Sequence, residues 1–231
     1  MIDKGATPHM KLSLFFLLIL LAIGCSDDQL VAITDGKVYS QLTVRYDENI
    51  NKTAATAAFW KESQSGARLV FNGNATILFQ GLGMDYRSDY TYSKEMEGPQ
   101  TPATFKITDV NKKEFTNTIT INAIDFPFGL VLDTIDTSKP LTIAWNGTAL
   151  ENLEIVTLRI GTGTVRAVQD TMGKSSVTFT SSLFSQISSL KNTSTSITLE
   201  RSKSPVLTND LGGGGTITSQ YIALSKKTYL K

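Results

Sequence analysis

Apolar and polar residues alternate with a period of two along most of this chain, the pattern of half-buried β-strands. Lys37 to Tyr46 sets Val38, Leu42, Val44 and Tyr46 on one face, with Ser40 the small polar residue among them. Lys37, Gln41, Thr43 and Arg45 lie on the other face, together with Tyr39. Ala103 to Thr108 and Phe115 to Ile124 alternate in the same way, as do Val165 to Val168, Val177 to Thr180, Ser196 to Arg201 and Thr216 to Leu224. Ala67 to Phe71, Asn72-Gly73 and Ala75 to Phe79 read as a hairpin, because Asn-Gly supplies the positive φ angles of a tight turn. Leu141 to Trp145, Asn146-Gly147 and Ile155 to Ile160 read as a second hairpin with a longer loop. Ser182 to Leu190 is the one helical candidate, a short crossover with Leu183, Phe184, Ile187 and Leu190 at helical spacing. Gly212 to Gly215 reads as a flexible loop.

The expected fold class is all-β. Many short strands divided by turn residues suggest a sandwich or a barrel. Two prolines and a glycine interrupt the alternation between Asp125 and Pro140, which places a boundary there. The division is residues 30–135 for a first sandwich and 136–231 for a second, each with about seven strands, the size of an immunoglobulin-like domain. Phe71-Asn72-Gly73-Asn74-Ala75 and Trp145-Asn146-Gly147-Thr148-Ala149 echo one another, as repeated domains would. The resemblance to immunoglobulin-like domains is architectural, without a Cys-Trp-Cys signature. A single large sandwich is the alternative.

The N-terminus breaks the strand pattern. Lys11 precedes an apolar run from Leu12 to Ala22, followed by Ile23, Gly24 and Cys25. A positive start, a short apolar core and a small residue before a cut make a secretory signal, and the run is too short for a membrane span. Gly24-Cys25 resembles the lipobox of bacterial lipoproteins, although Ala22 stands where that family prefers Leu. The resemblance implies removal of residues 1–24 and a diacylglyceryl group on Cys25, with residues 25–29 as tether. Residues 1–9 read as an upstream mis-start or a cloning scar. Ser26-Asp27-Asp28 resembles the acidic signal that directs lipoproteins of Bacteroidota to the cell surface, so the expected location is the outer membrane. Asp133-Thr134-Ile135 and Asp170-Thr171-Met172 resemble the O-glycosylation sequon of the same bacteria, which would place glycans on Thr134 and Thr171.

Composition removes several chemistries. The chain carries 22 basic and 21 acidic residues, so nothing points to nucleic acid. The only histidine is His9 and the only cysteine is Cys25. Past the tether there is no imidazole and no thiol, which excludes Ser-His-Asp and Cys-His catalysis and His/Cys zinc sites. The protein is therefore expected not to be an enzyme, and no cofactor is implied.

The remaining motifs are incomplete. Gly173-Lys174-Ser175 lacks the first glycine of a phosphate loop, since Val168 occupies that place. Gly161-Thr162-Gly163 lacks the third glycine of a dinucleotide turn, where Arg166 stands. Ser188-Ser189-Leu190-Lys191 matches the Ser-x-x-Lys pairing of penicillin-recognising enzymes, without its companion motifs.

Met84 to Gly98 is the most unusual stretch. It carries Asp85, Asp89, Glu95 and Glu97 with Tyr86, Tyr90 and Tyr92 in what reads as a loop. Aromatic faces stack on sugar rings while carboxylates accept from hydroxyls. The same acids would suit calcium, or a glycoside hydrolase if two of them faced one bond. Solvated loop acids and packed tyrosines are the plainer alternative. Trp60 and Trp145 are further platform candidates, with core packing as theirs. The expected function is a lipid-anchored envelope protein that binds polysaccharide or an envelope protein. A structural subunit of an outer-membrane complex is the alternative, and a carboxylate hydrolase comes third.

Overall fold

The computed structural model describes residues 37–71 and 74–231. The expected signal sequence, Cys25 and the expected Asn72-Gly73 turn therefore lie outside the described residues. The chain is all-β. Its first half comprises β1 (Val38–Asp47), β2 (Lys52–Lys61), β3 (Arg68–Leu69), β4 (Thr76–Phe79), β5 (Leu82–Gly83), β6 (Asp85–Tyr86), β7 (Thr91–Glu97), β8 (Ala103–Thr108) and β9 (Glu114–Ile119). The second comprises β10 (Thr134–Ile135), β11 (Leu141–Ala144), β12 (Glu154–Ile160), β13 (Arg166–Gln169), β14 (Ser176–Phe179), α1 (Ser181–Gln186), a 3-10 turn (Ser188–Leu190), β15 (Ser194–Lys203), β16 (Gly212–Ile222) and β17 (Lys226–Leu230).

One 11-stranded sheet runs in the order β10-β17-β15-β16-β1-β2-β7-β6, with β12 beside β15, β13 beside β12 and β3 beside β2. Two smaller sheets, β5-β4-β8-β9 and β11-β14, face it in a sandwich-like arrangement. The alternation read from sequence explains the layers. Val38, Leu42 and Val44 of β1 and Phe59 of β2 meet Phe79, Phe105, Ile107 and Phe115 of the four-stranded sheet in a first core. Val156, Leu158, Ile160, Ile197 and Leu199 meet Ile143, Val177, Phe179 and Phe184 in a second. Ile124, Phe126, Leu132 and Ile135 pack in the second core, whereas Leu207, Leu211 and Ile217 return to the first. β16 belongs to both halves: it runs parallel to β1 and antiparallel to β15.

Three sequence expectations are corrected. The segments around Asn72-Gly73 do not pair: β3 joins β2, and β4 joins β5 and β8 in the facing sheet. The chain arches from one layer to the other, because both segments bury their apolar residues in one core from opposite sides. The second expected hairpin fails likewise, since β11 pairs with β14 and β12 with β13 and β15. There Asn146 bridges back to Asp125, and Leu150 N–H donates to Lys174 O. Gly212 to Gly215 is no loop but the start of β16. It lies so close to β1 that a Cβ on Gly215 would stand 2.0 Å from Ser40 O. The expected short crossover is α1, capped by Thr180 Oγ1, and the 3-10 turn after it.

Candidate functional site

Residues facing away from the first core carry the candidate site. Antiparallel register sets Tyr39 of β1 opposite Trp60 of β2, and Trp60 opposite Arg68 of β3. Side chains in one such row share a face and touch. The Tyr39 and Trp60 rings meet edge-on at 5.9 Å, and the Arg68 guanidinium lies 4.3 Å from the Trp60 ring centre. That is cation–π distance. Arg68 also donates to the backbone oxygen of Asp89 at 3.5 Å, which ties the β6–β7 turn to the guanidinium beside the tryptophan. Trp60 is half-buried: Arg68 covers one side of the indole, and the Tyr39 ring packs against it in a T-shaped pair.

Met84 to Gly98, read from sequence as a loop, is a hairpin. β6 pairs with β7, Asp85 opposite Ser93 and Tyr86 opposite Tyr92. Asp89 Oδ1 accepts from Thr91 Oγ1 at 2.6 Å and from Thr91 N–H at 3.2 Å, which closes the turn. The Thr91 hydroxyl bond holds the exposed Asp89 carboxyl below its usual range. Arg87 Nε donates to Ser93 Oγ at 2.6 Å. Tyr90 takes a positive φ of 61°, and its N–H donates to Arg87 O.

The structure divides the sequence candidates. Asp85, Tyr86, Asp89 and Tyr90 lie on the hairpin, with Tyr86 48% exposed. Tyr92 points inward, packs on Phe59 and Phe71, and accepts from Phe71 N–H through its hydroxyl. Burial pushes its ionisation up. Trp145 lies in the second core at 6% exposure, its indole N–H donating to Thr148 O. Trp60 is thus brought to the hairpin through Arg68, while Trp145 is packed in the other core. Thr134 on β10 and Thr171 before β14 are both exposed. Asp85 pairs with Lys94 and Glu95 with Lys52. Among the described residues, no three acids, histidines or cysteines come together as ion ligands would.

The partial motifs serve the fold. Gly173 N–H donates to Leu150 O at a φ of 82°. Gly161 N–H donates to Ser196 O. Ser188 and Lys191 share the rim of a cleft of about 240 Å³ with Phe184 and Ile187.

Sequence reasoning missed Arg68 and Tyr39, which only strand pairing brings to Trp60. It also missed a buried ion pair in the second half. Arg201 of β15 donates to Glu154 of β12, to Thr148 O and to Ala149 O. Glu154 further accepts from Asn122 Nδ2 at 2.6 Å and Glu151 N–H at 2.7 Å. Burial raises the Glu154 carboxyl, but these hydrogen bonds outweigh it and hold the group below the ordinary range.

No protein-family model matches the chain, and no curated protein matches it. Among solved structures, it is similar to a Ca2+-stabilized adhesin with which an Antarctic bacterium binds ice. The identity is 14% and the TM-score 0.30, over 86% of this chain and 50% of that one. It is similar to the Yersinia pseudotuberculosis adhesin InvE at 11% identity and a TM-score of 0.23, over 81% and 60% of the two chains. It is also similar to the SGBP-B protein of a Bacteroides ovatus mixed-linkage glucan utilization locus, solved with a mixed-linkage heptasaccharide. There the identity is 13% and the TM-score 0.24, over 84% and 60%. The chain thus spans half to three fifths of these structures. Similarity at this level carries no functional conclusion for this chain.

Proposed function

We propose that this protein is a lipid-anchored, non-enzymatic cell-surface module that binds polysaccharide through the first sandwich. The observation that carries the proposal is the Tyr39–Trp60–Arg68 row, with the β6–β7 turn held against it through Asp89. A half-exposed aromatic flanked by a fixed guanidinium and open carboxylates offers ring C–H groups an apolar edge and hydroxyls both donors and acceptors. Paired strands hold the row, and the turn beside it supplies variable groups, as binding loops on rigid scaffolds do.

The anchor is the Cys25 of the lipobox-like sequence, followed by the Ser26-Asp27-Asp28 surface signal. Fully extended, the chain from Cys25 to Lys37 reaches at most about 40 Å. It enters at the Trp60 end of β1, where Glu62 N–H donates to Lys37 O. Among the described residues no helix is long and apolar enough to cross a membrane. Two or more acyl chains would hold the protein stably, because one alone binds marginally. Residues 30–135 and 136–231 remain the proposed sandwich units, sharing strands across the division, and Thr134 and Thr171 the proposed glycan sites.

A second reading, an accessory subunit bound to an envelope protein, is favoured by the exposed apolar side chains of Phe128, Val131, Met172 and Val206. Calorimetry of the purified protein against a polysaccharide panel, with product analysis and with and without calcium, separates the readings. Saturable binding without products, weakened about tenfold by Trp60→Ala, is the expected result. Product release would establish a hydrolase instead. No binding to any polysaccharide would favour the envelope-protein role.

A further inference from the structure

We infer that the ligand is a linear, uncharged polysaccharide and that it lies along the outer face of β2, from Trp60 to a cleft beside Lys52. The inference rests on the polysaccharide reading above and gives it a ligand class and a path.

The outer face is defined by alternation. Thr53, Ala55, Ala57 and Phe59 of β2 point inward, so by alternation Lys52, Ala54, Thr56, Ala58 and Trp60 lie on the outer side, with Thr56 exposed, Lys52, Ala54 and Trp60 half-buried and Ala58 buried. At the middle of the face, Thr56 stands level with Thr43 of β1 and Ser93 of β7, and Thr43 stands level with Thr218 of β16. Four hydroxyls therefore cross four strands in one row. One step further along, Ala54 lies between Arg45 on β1 and Glu95 on β7. At that end the face opens into a cleft of about 310 Å³, lined by Arg45, Asp47, Ile50, Lys52, Ala54 and Glu95. Ile50 is 63% exposed and gives the cleft an apolar wall. At the opposite end stands Trp60 with Tyr39 and Arg68.

Charge selects the occupant. The cleft holds two cations and two anions, joined as Arg45–Asp47 at 3.0 Å and Lys52–Glu95 at 3.7 Å. A polyanion would meet Asp47 and Glu95, and a polycation would meet Arg45 and Lys52. Either places like charges together, which disfavours binding. A neutral polyol meets no repulsion and takes hydrogen bonds from both signs and from the hydroxyl row. The eight residue steps from Trp60 to Lys52 span about 27 Å, room for about five pyranose rings in line.

The test is calorimetry of the purified protein with cello-, xylo- and manno-oligosaccharides of increasing length, with polygalacturonate as the charged control. Affinity for one neutral series rises with length and levels off near about five units. Thr56→Arg, which fills the middle of the face from an exposed position, weakens that binding at least about tenfold. Thr56→Ala weakens it a few-fold and serves if the arginine variant fails to fold by circular dichroism. Thr116→Ala, exposed on β9 of the facing sheet, leaves it unchanged. If a neutral glycan binds with full affinity to both Thr56 variants, the path along β2 is overturned and the polysaccharide reading survives. Preference for polygalacturonate overturns the ligand class alone. If no glycan binds the unaltered protein, both fall together.

Discussion

Arg201 and Glu154 meet in the second core with side-chain exposures of 2% and 0%. Removing one partner of such a pair leaves an uncompensated buried charge, so Arg201→Met is expected to cost about 3–5 kcal/mol in denaturant unfolding. The pair also fixes an acid limb. The folded Glu154 carboxyl lies below its ordinary value of 4.5. Its contribution is therefore present above that value and is lost as pH falls through the lower folded one. Acid titration of the unfolding midpoint should show this limb, and Glu154→Gln should flatten it. An alkaline counterpart sits at Tyr221. Burial first, and the nearby Glu48 carboxylate second, push its phenol from 10.0 to about 12. The unfolded chain releases this proton first, so stability falls as pH rises from 10.0 toward about 12. Tyr221→Phe should remove that fall, read by the same unfolding titration. The two tryptophans divide by burial. Trp145→Ala should destabilise the protein by about 3–5 kcal/mol, as large core truncations do. Trp60→Ala should cost much less stability and act on binding.

At the scale of elements, β16 depends on its glycines. Gly215 has a φ of 148°, and any Cβ there would collide with Ser40 O and Leu207. Gly215→Ala should cost at least about 1–3 kcal/mol from backbone strain alone, seen as a lower melting temperature. A run of four glycines looks mobile in sequence because the missing side chains leave no pattern. Here their absence lets two strands approach across a register shift between Val38 and Ser40. Strand existence was legible where alternation was strong, as in β1, β8, β13 and β14. Strand partners were not. Residues 67–71 and 75–79 alternate as a hairpin would, yet Phe71 packs on Phe59 while Phe79 packs on Phe105 across the core. Period two records which face is buried and not which sheet a strand joins. For the same reason Trp60 was legible as a candidate, but Arg68 and Tyr39 became its neighbours only through register. β7 escaped notice because its inward residues include Lys94 and Met96 beside Tyr92, a weak apolar face on an outer strand.

For the molecule as a whole, β16 ties the two halves, carrying Ile217 into the first core and leading to Ala223 in the second. The β1–β2 turn grips the same join, with Glu48 accepting from Leu224 N–H and Asn49 from Ser225 N–H. The chain enters β1 at Val38, one residue before the Tyr39–Trp60 pair, and β16 runs in the same direction as β1 toward the second half. An anchored protein would thus hold its first sandwich nearer the membrane and its second farther out. The most direct test is uptake of a fluorescent neutral linear polysaccharide by intact cells carrying the unaltered protein, Cys25→Ser or Trp60→Ala. The account predicts labelled cells for the unaltered protein alone, with the Cys25→Ser protein released and the Trp60→Ala protein present at the surface but unlabelled. Equal labelling of all three, or no labelling of the unaltered protein, would contradict it.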